Sequence, residues 1–222
     1  MEVQYPRSER TTATRHSDRV SYDRDAVHAV LDEGLTCHVG YVVAGQPVVL
    51  PQLHARVGEM LYLHGSSGAR ALREARGDGL EVCVTVTLVD GVVLARSAFN
   101  HSMNYRSVVV RGTAEVVTDE AEKQDALTAL VDAIVPGRSA EVRGPSRKEL
   151  VATTVLRLPL RDVSLKARSG PPVDEDADLD LPYWAGVVPT ALVSADPEPA
   201  PGLTAALPLP THVSTWTPSR KG

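Results

Sequence analysis

Residues 64–70, His64-Gly65-Ser66-Ser67-Gly68-Ala69-Arg70, place a histidine, two hydroxyls, two glycines and a cation between the apolar run MLYL and a helical stretch. Small residues let backbone N–H groups approach an anion, hydroxyls donate to it, and a helix start with an arginine one turn in adds positive charge. The same residues also make a plain tight turn, so residue types alone leave two readings open, a phosphate seat and a turn. The stretch has no Gly-Lys-Ser/Thr ending, which argues against nucleotide hydrolysis. A Gly-x-Ser-x-Gly elbow is also missing, which leaves a serine hydrolase without support. A second donor-rich group, ARSAFNHSMNYRSVVV (95–110), gathers Arg96, Asn100, His101, Tyr105, Arg106 and Ser107 around one loop. It suits a ligand rim or a solvated loop equally well. His38, His54, His64 and His101 show neither i, i+4 nor His-x-His spacing, so no metal site is expected.

These residues need a scaffold. DRDAVHAVLDE (23–33) places Val27, Val30 and Leu31 on one helical face, with Ser21 or Asp23 as N-cap and Gly34 as the stop. TCHVGYVV (36–43) and QPVVLPQLHAR (46–56) read as a hairpin about Ala44-Gly45, and MLYLHG follows a turn at Val57-Gly58-Glu59. EVCVTVTLV (81–89) and VVLARSAF (92–99) flank Asp90-Gly91, the strongest hairpin signal in the chain. YRSVVVRGTAEVV (105–117) is a further long strand. Asp119 with Glu122 opens a helix carrying Leu127, Leu130, Val131, Ile134 and Val135, which Pro136-Gly137 ends. TTVLRLPLRDVSLKAR (153–168) reads as a last strand, with Pro159 at an edge or bulge. Six or more strands, mostly antiparallel, predict a mainly β fold, a closed or nearly closed barrel with flanking helices, because closure removes exposed edges.

Four segments are expected: a flexible arm over 1–20, the barrel over 21–168, a docking segment over 169–192 and a disordered tail over 193–222. Ten of the 16 prolines lie beyond residue 170, beside the acidic run VDEDADLDLP; within that tail YWAGVVP is an apolar island. The 43% hydrophobic content supports a core, and a net charge of -5 argues against a broad nucleic-acid surface. No apolar run approaches the roughly 20 residues needed to cross a bilayer, so no membrane partner is expected. Cys37 and Cys83 sit in apolar runs and read as reduced core residues, which implies a cytoplasmic location.

QPVVLPQLHA (46–55), LYLHGSSGARAL (61–72), SAFNHSMNYRSVVVRGTA (97–114) and WAGVVP (184–189), in that order, resemble the pyridoxamine-phosphate-oxidase-like FMN-binding split barrels, particularly the nitroimidazole-reductase-related subfamily. The resemblance implies FMN as cofactor and a homodimer. It implies that the strand holding Val49, Leu50, Pro51 and Gln52 lines the flavin ring. His64, Gly65, Ser66, Ser67 and Arg70 would then hold the phosphate, and Ser107 and Val108 would complete the ring site. Trp184 would cover the flavin of the other subunit, with His101 and Tyr105 on the substrate side. No carboxylate or lysine stands out as a catalytic proton donor, and none is required where the cofactor carries the hydride. Three functions stay open. The leading one is an FMN-dependent oxidoreductase that uses NAD(P)H to reduce a small organic substrate. The second is a non-catalytic flavin or haem carrier or stress protein, and the third is a scaffold whose tail recruits a partner.

Overall fold

The structure, a computed structural model, describes residues 3–69, 72, 75, 77–203 and 207–218. Its strands are β1 (Val20–Ser21), β2 (Cys37–Val43), β3 (Gln46–Gln52), β4 (His54–Val57), β5 (Met60–Ser66), β6 (Leu80–Leu94), β7 (Ser102–Val116), β8 (Thr153–Pro159), β9 (Asp162–Arg168) and β10 (Gly186–Pro189). The helices are α1 (Arg24–Glu33), α2 (Glu120–Ile134), α3 (Arg147–Ala152) and α4 (Thr211–Ser214).

The sheet follows the order β3-β2-β6-β7-β8-β5-β4, with β1 joined to β9, β9 to β7 and β10 to β6. Its end strands, β3 and β4, do not pair with each other among the described residues. The expected barrel is therefore corrected: this is a mixed α/β fold on a large, branched sheet that stays open. The edge of β3 gives a physical reason. The two-residue loop Ala44-Gly45, with both φ values positive (49° and 75°), makes Val43 and Gln46 the closing hydrogen-bonded pair of the hairpin. By alternation Pro47, Val49 and Pro51 turn their backbone outward, and two of those three have no N–H to offer a further strand.

Two compact units make up the chain. The first comprises Met1–Gly34, Cys83–Arg111 and Arg161–Ala191; the second comprises Leu35–Val82, Gly112–Leu160 and Leu192–Gly222. In the first, Asp23 caps α1 by accepting from the Ala26 N–H at 2.8 Å, and the helix buries Val27, Val30 and Leu31. Gly34 ends it by turning extended (φ -74°, ψ 119°), and glycine is needed there because a Cβ would run into Val86 Cγ1. Residues 3–20, expected as a free arm, carry anchors: Tyr5 is buried with its hydroxyl 2.8 Å from His28 Nε2, and the Tyr22 hydroxyl donates to Thr11 O at 2.8 Å.

The Asp90-Gly91 hairpin does not form; β6 runs straight through it from Leu80 to Leu94. Gly91 serves a close neighbour instead, since β10 lies antiparallel alongside and a Cβ would meet Val187 Cγ1 at 3.0 Å and Val188 O at 3.1 Å. The predicted strand over 153–168 is two strands, broken at Leu160-Arg161, so that β8 pairs with β5 and β9 with β7. Strand β7 changes partner at Gly112 (φ +153°), pairing with β9 up to Arg111 and with β8 from Glu115.

In the second unit Leu61, Leu63, Val155 and Leu158 form the interior of β5 and β8. Asp119 caps α2 by accepting from the Glu122 N–H at 2.7 Å. The Glu122 side chain does not reach back to the Asp119 N–H as a reciprocal capping box needs; it accepts from the Tyr62 hydroxyl and the Arg157 guanidinium. Among the described residues no helix is long and apolar enough to cross a membrane.

Candidate functional site

The end of β5 carries the residues expected to seat an anion. His64 and Gly65 are half-buried, Ser66 is exposed and Ser67 half-exposed. The amides beyond them are already engaged: Ser67 N–H donates to Ala152 O at 2.9 Å, Ala69 N–H to Ser66 O at 2.8 Å, and Gly68 N–H to Ser66 Oγ at 3.3 Å. What this turn presents outward is hydroxyl rather than free N–H. Gly65 answers a packing need, since a Cβ there would lie 2.8 Å from Leu72 Cδ1. Arg70 lies outside the described residues.

His64 also lines a cavity of about 440 Å3 that no sequence motif announces. Its apolar wall comes from Leu127, Leu130 and Val131 of α2, and Leu53 contributes from the β3–β4 connection. The segment after α2 folds back because Gly137 takes a left-handed φ of 84° and Asp132 accepts from the Ser139 N–H (2.8 Å) and hydroxyl (2.6 Å). That return places Arg143 on the rim, donating to both carboxylate oxygens of Glu149 at 2.8 and 2.6 Å. Glu149 also accepts from the Ser146 N–H at 2.7 Å, completing the capping box of α3. The Arg143 guanidinium and then Ser146 hold the Glu149 carboxyl far below the usual carboxylate range. Burial pulls the His64 imidazole down, favouring its neutral form. Its Nδ1 is buried without a hydrogen-bond partner among the described residues.

Val49, Leu50, Pro51 and Gln52 stand on the outer strand β3, where Val49 and Leu50 are 63% and 50% exposed. The Val49 N–H is the one outward donor between Pro47 and Pro51. Opposite them on β2, the buried Cys37 thiol donates to Gln52 O, and burial pushes it up to about 12.

The other expected residues belong to the first unit. Ser107 Oγ lies 2.8 Å from Thr87 Oγ1, while the Val108 side chain is wholly buried in the core. Tyr105 is half-buried opposite Arg168 on β9. His101 is exposed with Nδ1 2.9 Å from Ser97 O. Trp184 is 68% exposed, and its ring lies so close over Gly186 that a Cβ there would come within 2.8 Å. Arg106, beside these, is fully committed: it donates to Glu33 at 2.7 and 3.1 Å and to Asp90 at 2.8 and 3.0 Å. Those bonds, Asp90 first, raise its already high pKa further. Among the described residues no cluster of three His, Cys, Asp or Glu side chains is arranged to hold a metal ion.

The profile of the pyridoxamine 5'-phosphate oxidase family matches residues 23–167. The chain belongs to that family. Among solved structures it is similar to the flavocytochrome Anf3 from Azotobacter vinelandii, at 39% identity over 93% of this chain and 95% of that one, with a TM-score of 0.87. It is likewise similar to the FAD and heme binding protein from Mycobacterium smegmatis, at 41% identity over 90% of this chain and 99% of that one, with a TM-score of 0.85. A candidate 5-nitroimidazole antibiotic resistance protein from Bacteroides thetaiotaomicron shares the fold at 23% identity over 66% of this chain and 85% of that one (TM-score 0.56). A search of curated proteins gives no match. The expectation of FMN in particular is thereby corrected. The two relatives matched along nearly their whole length are named for a flavocytochrome and for FAD and haem.

Proposed function

We propose that the chain is a redox protein that binds FAD and haem. The observation that supports this reading is its similarity, over 93% and 90% of its length, to two proteins named for those cofactors. When bound, the flavin exchanges hydride or single electrons and the haem exchanges single electrons. The chain's own part is to hold and orient the flavin. The outward N–H of Val49 and the outward carbonyls of Pro47 and Pro51 meet the polar edge of the flavin ring along β3. The hydroxyls of Ser66 and Ser67 donate to its diphosphate. Val49 and Leu50 point to opposite faces of β3, and the exposed apolar side chain on the flavin's side suits the face of a flat ring. A second copy of the chain is the partner we assign to Trp184, whose indole is otherwise left to solvent; light scattering should then read twice the 23.8 kDa chain mass.

The test is the visible spectrum of the purified full chain. The reading expects flavin bands together with a Soret band, both responding to a chemical reductant. Bleaching by NADPH or NADH would make it an oxidoreductase with a nicotinamide donor, and the absence of bleaching would make it a carrier. A colourless protein that takes up neither FAD nor haem on reconstitution contradicts the proposal.

A further inference from the structure

Resting on the flavin-and-haem reading, we infer that the cavity between α2 and β5 of the second unit seats the haem, with His64 as iron ligand and Arg143 as partner of the propionates. A haem is a flat apolar macrocycle whose iron takes an imidazole and whose two carboxylates project from one edge. A seat for it needs an apolar wall, a histidine inside and a cation on the rim. The cavity supplies each of these. Leu127, Leu130 and Val131 form the wall, His64 stands within it, and Arg143 sits at the opening.

Two side chains of the cavity suit such an occupant. The His64 Nδ1 is closed off and has no partner among the described residues, so Nε2 is the nitrogen this cavity-lining ring can offer to an iron. His28 is engaged with the Tyr5 hydroxyl and His101 with Ser97 O, whereas His212, whose Nε2 is also buried without a partner among the described residues, does not line this cavity. The Arg143 side chain is 72% exposed and its ion pair with Glu149 lies at the surface. The pair is bidentate, so a propionate would share the guanidinium with Glu149 rather than find it free, and exposure keeps the cost of that sharing modest.

The experiment adds hemin to the full-length chain and reads haem stoichiometry, Soret position and low-temperature EPR, with FAD content measured in the same samples. Relative to wild type, His64→Ala should weaken haem binding by at least about tenfold and lose the low-spin signal, with FAD content unchanged. Added imidazole should restore that signal. Val131→Trp, a change at a half-exposed position that fills the cavity, should exclude haem while leaving FAD in place. Arg143→Gln should weaken binding by about threefold, the scale of an exposed ion pair. If His64→Ala and Val131→Trp both bind haem with the wild-type spectrum, this placement is overturned while the flavin-and-haem reading stands. If the wild type takes up FAD but no haem, the placement falls; if it takes up neither, both fall.

Discussion

In the first unit, Arg106 satisfies Glu33 and Asp90 with four hydrogen bonds, and Arg168 donates to Asn104 and to the carbonyls of Gly170 and Pro171. In the second unit, the corner at the end of β5 keeps Ser66 exposed, leaves the His64 Nδ1 without a partner, and lies beside an open cavity. Both regions are rich in residues that sequence reading marks as chemical. The first uses them up in joining α1, β6, β7 and β9, so its charges belong to the architecture. The second leaves the Ser66 hydroxyl at the surface and the His64 imidazole without a partner among the described residues, and an available polar group is what a ligand can recognise. Donor density alone therefore misleads; whether each donor already has its acceptor is the better guide.

The contrast is broken most strongly at Arg106. Arg106→Ala should lower stability by about 2 kcal/mol, because Glu33 and Asp90 are left facing one another; partial exposure keeps the cost below that of a buried pair. Urea denaturation checks this, and a loss near zero would mean the cluster is ornamental. Gly91→Ala should cost about 1 kcal/mol by pressing on Val187 and Val188, with the Trp184 emission shifting to the red as β10 loosens. The double change Ser66→Ala with Ser67→Ala acts the other way, leaving the melting temperature in place while weakening FAD binding by about 1 kcal/mol, read by flavin fluorescence.

The smallest effect concerns pH. Burial works to raise the Asp174 carboxyl, but the Arg96 backbone N–H and guanidinium outweigh it, and the net shift is below the ordinary 3.8. A carboxylate depressed on folding adds stability that is full above its unfolded value and lost as pH falls through its folded one. The stability difference between wild type and Asp174→Asn should therefore be constant from pH 5 to 8 and shrink in acid below about 3.8. A difference that grew on acidification would reverse the sign of this account.

Local chemistry made part of the fold legible. The hairpin about Ala44-Gly45, the Asp23 cap of α1 and the Asp119 cap of α2 each depend on residues a few positions apart, and each forms where the sequence places it. The Asp90-Gly91 turn failed because its competitors are distant: β10 covers Gly91, and Arg106 holds Asp90. Barrel closure failed for the same kind of reason, since whether β3 meets another strand depends on which backbone groups its prolines turn outward. The capping box at Ser146 and Glu149 was present as a Ser-x-x-Glu signal and would have placed α3 beside the rim. The cavity itself had no such signal, because residues 53, 64, 127–131, 143 and 153 meet only in three dimensions.

The central claim is tested most directly by releasing the cofactors from the purified full-length chain in acid and identifying them by chromatography and mass. The account predicts FAD and haem, each near one per chain. Recovery of FMN in place of FAD, or of no cofactor from protein already offered both, would contradict it.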